Sequence, residues 1–403
     1  MTTRTQDAGW EVIVSQLPPD FRELAVEMGL VRRLPPHIGQ KVLDIGIALR
    51  LILHYAAQRG SMRLTTAMAA TAGIVSISQP ALFKWMAKIG PYLEALVART
   101  VEKGVYASEK WGGYELIVAD ASTVERPGAK GTTARLHYAM RLGDLSSRFI
   151  KVTDETIGEK MRNFDVQPNE LWIVDRGYSN PPSVLDTVDA GGAILVRVNR
   201  HSLPMYDALD NRVDIPALLA NTRRRGEAHE STVTIKTNDG RQTAARLCWL
   251  WLPKPEAEKA RARAMRDGAK ADEELDSSEY IVLLTTAPQM RLRVDQIFEL
   301  YRARWQIELN FKRDTSIGQL DRLPSMTPAT IHAWICANVL LGLIARRLSA
   351  QSVDLPPCGI AGVLIPLTEE ASGPSARPRR RALVRHAVGV ESDSRRAAAL
   401  HAS

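Results

Sequence analysis

The pattern of apolar and polar positions divides the chain into stretches of different character. Through the first hundred residues apolar positions recur at helical spacing. KVLDIGIALRLILHYAAQ (41–58) and SQPALFKWMAKIGPYLEALVARTVEKG (78–104) read as helices, with the shorter SMRLTTAMAATAGI (61–74) between them. Ser78 followed by Pro80 marks a helix start, because the hydroxyl can cap a free N–H and proline needs none. From Tyr114 the pattern turns to strands. YELIVAD (114–120), ARLHYAMR (134–141) and SRFIKVTDE (147–155) predict an antiparallel meander, the last two joined by LGDLS. GEKMRNF (158–164) reads as a short helix, NELWIVDRGYSNPPSVLDTV (169–188) as strand, turn and helix, and GGAILVRVN (191–199) as a further strand. STVTIKTNDGRQTAARLCWLWLP (231–253) is a hairpin candidate with Asn238-Asp239-Gly240 at its turn. The charged stretch 254–275 follows as a solvated helix or loop, and EYIVLLTT (279–286) as a strand. FELYRARWQIELNFKRDT (298–315) is again helical. The apolar run Ile331–Leu348, interrupted by His332 and Asn338, is expected as a buried core helix, too mixed for a membrane span.

Composition changes this picture little. Hydrophobic residues at 45% and charged residues at 24% suit a folded soluble chain, and 403 residues suit two or three domains. Lys and Arg number 53 against 45 Asp and Glu, and the net charge of +8 points to a polyanionic partner, nucleic acid first. Over residues 1–110, 13 basic against 9 acidic residues leave +4. There the short helix, the turn at Ala72-Gly73 and the helix bearing Lys84, Trp85 and Lys88 have the form of helix-turn-helix DNA binding, with plain packing as the alternative. Cys248, Cys336 and Cys358 are odd in number and lack metal spacing, so free thiols in a reducing cytoplasm are expected. MTTRTQDAGWEV carries no apolar leader, which agrees with a cytoplasmic protein that has no membrane partner. Residues 370–403, with the run Arg379–Arg381, read as a disordered basic tail.

Candidate chemistry gathers on three acids. Asp120 ends the apolar run in IVADAS, Asp175 ends another in WIVDRGYS, and Glu308 lies on the 298–315 helix. At 100° per residue, Tyr301, Arg304, Glu308 and Lys312 fall within roughly 80° of one another, a column suited to a cleft for phosphates and metal. The alternative, an Arg304–Glu308 surface pair, is worth at most a few tenths of a kcal/mol in this orientation. A lone Asp after a strand is commonly a cap or turn residue. Two such acids in series with this helix are more specific. Tyr301, Arg304 and Glu308 at this spacing, set in YRARWQIELNFKR, resemble the Y-R-E signature of the DDE transposases of bacterial insertion sequences, the IS-four group. The motif regions cover residues 115–320, and the helical N-terminus resembles the N-terminal domain of the same group.

The resemblance implies an α/β fold. It comprises an RNase H-like catalytic core with a β-rich insertion between the second and third acids, preceded by a helical N-terminal domain. On this sequence that gives 1–110 as a helical DNA-binding domain, 111–199 as the first part of the core and 200–288 as a mostly β insertion. Residues 289–350 are then the last part of the core with the Y-R-E helix, and 351–403 the basic tail. It further implies a homodimeric enzyme that cuts phosphodiesters at the ends of its own element and joins the 3′-hydroxyls to target double-stranded DNA. Asp120, Asp175 and Glu308 would be both catalytic and metal-ligating, with Asp120 bridging two ions and the other two binding one each. Hard oxygen donors select Mg²⁺ or Mn²⁺, and two such ions about 3.5–4 Å apart activate the entering oxygen and stabilise the leaving one. Tyr301 and Arg304 would touch end DNA near the cleaved phosphate, with Lys312, Arg176, Tyr178, Lys84 and Lys88 as further DNA contacts. Trp249, on one strand face with Trp251, is a candidate platform for a displaced base, with core packing as the alternative. The signature closes with Lys seven residues past the Glu, where this chain has Thr315; Lys312 lies one turn nearer. That departure keeps a second expectation open, a relic that binds DNA without cutting it.

Overall fold

A computed structural model of the chain describes residues 2–31, 44–58, 61–101, 111–125, 131–222, 224–266, 268, 272–305 and 327–352. Helices come first: α1 (Thr2–Ser15), α2 (Phe21–Glu27), α3 (Ile45–Ala57), α4 (Met62–Thr71) and α5 (Gln79–Thr100). Short polar side chains set their starts. Asp44 accepts from the backbone N of Gly46 and Ile47 at 2.6 and 3.3 Å, and Ser61 and Ser78 each accept an N–H three residues on. Gly73 takes φ +67° and lets Ile74 N reach back to Ala69 O at 2.9 Å, the left-handed stop that separates α4 from α5. α4 and α5 thus flank the turn at Ala72-Gly73.

The sheet has eight strands: β1 (Glu115–Val124), β2 (Ala134–Arg141), β3 (Ser147–Asp154), β4 (Glu170–Val174), β5 (Ala193–Arg197), β6 (Ala228–Lys236), β7 (Gln242–Trp251) and β8 (Tyr280–Thr285). Their order is β3-β2-β1-β4-β5-β8-β7-β6. β1, β2 and β3 form the antiparallel meander, whereas β4 and β5 join β1 in parallel. Parallel neighbours need a crossover, and α6 (Pro181–Asp189) supplies it between β4 and β5. A mixed sheet of this order, with helices packed on it, fits a DDE or RNase H-like domain. β8, β7 and β6 then extend the same sheet antiparallel from β5, beginning at Leu195 opposite Thr285. The remaining helices are α7 (Ile215–Ala220), α8 (Lys254–Arg266), α9 (Asp272–Ser278), α10 (Val294–Arg302) and α11 (Pro328–Ser352).

Two layers of apolar packing hold these elements. On one face Ile117 and Ala119 of β1 bury with Trp172, Val174, Ile194 and Val196 and with Val184 and Leu185 of α6. α11, the apolar run expected as a core helix, packs against α5, α3 and β3, and Ile331, Ala333, Ile335, Ala337 and Leu340 on it are buried. Arg346 Nη1 on α11 donates to Tyr138 Oη at 2.9 Å, which fastens that helix to β2.

Three local expectations change. GEKMRNF yields only a 3₁₀ turn at Met161–Asn163, while 254–275 divides between α8 and α9. The first strand runs on past Asp120 to Val124, because β2 pairs with it as far as Val124 opposite Ala134. Asp120 lies where the parallel partner β4 stops, with its own strand continuing.

Candidate active site

β1 and β4 are in register with Val118 opposite Ile173. Two residues further along each chain stand Asp120 and Asp175, so both acids reach the same end of the sheet, beyond the carboxyl end of β4. Open α/β sheets place ligands at such ends. Asp175 caps the 3₁₀ turn Arg176–Tyr178, its Oδ1 accepting from Arg176 N at 2.6 Å. Asp120 Oδ1 accepts from Ala121 N at 2.8 Å. Burial pushes the Asp120 carboxyl up to about 7; the Ala121 N–H and the charge of Arg304 oppose this, while Asp175 and Glu159 add to it. A carboxylate that burial and like charges both hold back is a poor resting anion and a ready partner for a cation.

The Tyr and Arg of the Y-R-E motif reach this acid pair across more than a hundred residues of chain. The connection from β8 into α10 is clamped by Arg246 of β7, which pairs with Glu230 of β6 and donates Nη1 to Ala287 O and Leu292 O at 3.0 and 2.8 Å. Arg291 adds a second clamp: its Nε donates to Gly112 O at 2.6 Å and its guanidinium sits 3.5 Å from the centre of the Tyr114 ring. So held, α10 brings Tyr301 within electrostatic reach of Asp175 and Arg197, and Arg304, just past its end, within reach of Asp120 and Arg197. Burial raises the Tyr301 phenol to about 12, and the Arg304 guanidinium lies 5.9 Å from the centre of its ring.

One expectation about this segment is corrected. α10 ends at Arg302, and the N–H groups of Ala303 and Arg304 fall back on Leu300 O and Tyr301 O at 3.0 and 3.2 Å. Bonds of this i to i−3 kind tighten the last turn, so the helix expected to run unbroken over 298–315 is interrupted after Arg302. Glu308, Lys312 and Thr315 lie outside the described residues.

The other candidates are sorted by burial. Arg176 is exposed beside Asp175. Tyr178 is fully buried, its ring 6.0 Å from Phe164, so it meets the acid cluster from within the core, away from the surface where DNA would lie. Trp249 is 8% exposed, stacks on His229 at 5.6 Å and donates Nε1 to Thr222 Oγ1 at 2.9 Å, the core-packing alternative. Trp251, two residues on, is covered by Arg225 at 3.9 Å and Tyr280 at 5.7 Å. Lys84 and Lys88 are exposed on α5.

Two residues of the cluster escaped the sequence reading. Arg197 closes β5, and burial, then the charge of Arg176, lowers its guanidinium pKa; Tyr301, Asp175 and Arg304 also act on it. A charge closing the apolar strand AILVR was the available signal. Glu159 comes from the loop after β3, where a glutamate between Gly158 and Lys160 gives no signal at all. Among the described residues no group of three acids, histidines or cysteines converges to hold a metal ion.

An acid pair on adjacent parallel strands, faced by a tyrosine and an arginine from a later helix, is the arrangement the DDE class requires. Residues 111–341, more than half of the chain, match the family model of the transposase DDE domain. The chain belongs to that family, the DDE transposases of bacterial insertion sequences. It is 28% identical over 307 residues to the transposase for insertion sequence element IS421 of Escherichia coli, covering 74% of this chain and 82% of that protein. It is also 28% identical over 315 residues to InsL of insertion sequence element IS186A from Escherichia coli strain K12, named as a candidate transposase, covering 76% of this chain and 85% of the relative.

Proposed function

We propose that the protein is a DNA transposase that cuts phosphodiester bonds at the ends of its insertion sequence and joins the freed 3′-hydroxyls to target DNA. The observation that carries this reading is the adjacency of Asp120 and Asp175, with Tyr301 and Arg304 brought to them by α10. Asp120, Asp175 and Glu308 are the proposed catalytic triad. The donors suit a hard divalent cation, since Asp120 and Asp175 offer carboxylate oxygens and the buried Tyr178 hydroxyl beside them lacks a partner. Bound there, two Mg²⁺ or Mn²⁺ ions would supply Lewis-acid activation of the entering oxygen and stabilisation of the leaving one. The side chains do the rest. Arg304, Arg197 and Arg176 draw the DNA backbone to the acids as charge-assisted donors. Tyr301 positions the strand and makes no covalent bond to it. Exposed Lys84 and Lys88 make the N-terminal helices a second docking face for DNA, and β6, β7 and β8 are the inserted β segment between the second and third acids. Pairing of two ends calls for a homodimer. Supercoiled or linear DNA carrying the flanking inverted repeats tests the reading: nicking at the repeat boundary that needs Mg²⁺ or Mn²⁺ and vanishes in Asp120→Ala supports it. Binding without nicking under both metals replaces it with the relic, the reading that Thr315 favours.

Arg304→Ala is expected to weaken end binding about tenfold and to lower the slope of log K against log salt by roughly one phosphate's worth, 0.9. A fluorescence-anisotropy titration at four salt concentrations reads both; an unchanged slope would give Arg304 a structural role only. Thr315→Lys is expected to hold or raise nicking, because it restores a cation where the family signature has one. A clear loss of nicking would mean that Lys312 already occupies that phosphate contact.

A further inference from the structure

The two halves of α5 are built differently. From Ile89 onward the helix is core: Ile89, Tyr92, Leu93, Leu96 and Val97 are buried, Tyr92 Oη donates to Phe21 O at 2.7 Å, and α11 packs along it. Before Ile89 only Leu82 and Met86 are buried. On the opposite face stand two exposed columns, each at i,i+4 spacing: Phe83 with Ala87, and Lys84 with Lys88. Pro80 is exposed between them, one turn earlier. The helix is thus held firmly at one end and presents an apolar stripe beside a basic one at the other.

The charge around this face has one sign. Residues 61–93 contain Arg63, Lys84 and Lys88 and no Asp or Glu, a local charge of +3 that suits a polyanion. Arg63 is exposed in the first turn of α4, the helix that precedes the turn at Ala72-Gly73. In a helix pair of this form the second helix lies in the major groove with its N-terminal residues at the base edges, while the first crosses the backbone. Lysines alone would explain attraction to phosphates, which carries no sequence information. Phe83 is 37% exposed in the middle of this face, and an aromatic ring adds nothing to a phosphate contact. Phenylalanine and alanine are side chains that meet the C5-methyl of thymine in the major groove.

We propose that Phe83 and Ala87 read thymine methyl groups of the terminal repeat, with Lys84 and Lys88 holding the phosphates beside them. The inference rests on the transposase reading and deepens it: α5 selects the DNA that the acids cut. One turn of helix separates Phe83 from Ala87, about 6 Å, so the methyls read lie within about two or three base pairs of each other. Because the C-terminal half of α5 is locked into the core, the stripe meets the groove without having to be ordered first.

Fluorescence anisotropy with the full chain tests this on two duplexes of equal length, the terminal repeat and an unrelated sequence. Phe83→Ala is expected to weaken binding to the repeat about tenfold, to leave the unrelated duplex within about twofold, and to leave the salt slope unchanged. Lys88→Ala is expected to weaken both duplexes alike and to lower the slope. Equal losses on both duplexes for Phe83→Ala, or none on either, would overturn the proposal. So would intact DNA binding with a changed oligomeric state in sedimentation, which would make the stripe a contact between protein copies. A second measurement uses wild type alone. Replacing thymine by deoxyuridine, one position at a time, removes single methyls from the repeat, and affinity is expected to fall about threefold or more at one or two neighbouring positions. Phe83→Ala should lose that sensitivity; sensitivity that persists in the variant would place the reading elsewhere. Wild type that nicks the repeat boundary yet ignores every methyl would sink the proposal and leave the transposase standing. Wild type that neither selects nor nicks the repeat would take both down.

Discussion

Asp120→Asn is expected to abolish end cleavage, by a factor of at least about 10³, while leaving binding of end DNA within about twofold. Glu308→Gln should do the same, on the strength of its place in the Y-R-E motif. The Asp120 variant carries a second signature that a merely damaged protein would not show. Burial raises this carboxyl from 3.8 to about 7 in the folded chain. The folded state therefore holds a proton that the unfolded state has released, over the window between about 4 and 7. Stability contributed by this group is intact below that window and falls as pH rises through it. Asparagine removes the titration. In metal-free buffer at pH 7.5 the variant should be more stable than wild type, by roughly 1–3 kcal/mol, and the two should converge near pH 4. Thermal melts at both pH values with a nicking assay alongside check the pair. Loss of activity with loss of stability at pH 7.5 would mark Asp120 as structural.

The second large effect is expected at Arg246, far from the acids in sequence. Arg246 is 9% exposed, is paired with Glu230 through Nε at 2.8 Å and Nη2, and satisfies the carbonyls of Ala287 and Leu292. Arg246→Met keeps the volume of the stem but strands one partly buried carboxylate and two buried carbonyls. Breaking a buried pair from one side costs about 3–5 kcal/mol, and a loss near the lower end is expected because Glu230 keeps some contact with solvent. The double variant Arg246→Met, Glu230→Gln should recover part of that loss, as coupled neighbours do. Because the clamped carbonyls lead directly into α10, the single variant should also weaken end binding in step with Arg304→Ala. Denaturant melts of wild type, Arg246→Met, Glu230→Gln and the double variant decide the matter: additive losses would show that the pair is not coupled.

Much of the site was legible because its residues sit at points where the chain's periodicity breaks. Asp120 interrupts an apolar strand, Asp175 closes another, and Tyr301 stands on an amphipathic helix with Arg304 in the turn that ends it; each is local, and sequence records local rules directly. The meander, the hairpin of β6 and β7 and the buried α11 were legible for the same reason. Glu159 was not, because only the fold lays its carboxylate against Gly177, and no spacing links a loop glutamate to a glycine eighteen residues on. Trp249 and Tyr178 carried the opposite difficulty. Aromatic residues suit both a core and a DNA surface, and only packing separates the two uses.

By itself the sequence determined the element order, the two acids that close apolar runs and the Y-R-E spacing, because these depend on periodicity and on residues near in the chain. Tertiary structure decided that β8, β7 and β6 extend the same sheet, that Asp120 stands where its parallel partner ends, and that α10 stops at Arg302. It also decided that Arg197 and Glu159 join the acids. Strand register, the backbone bonds available to a terminal turn, and the burial that displaces a carboxyl's pKa arise only when distant segments exclude water together.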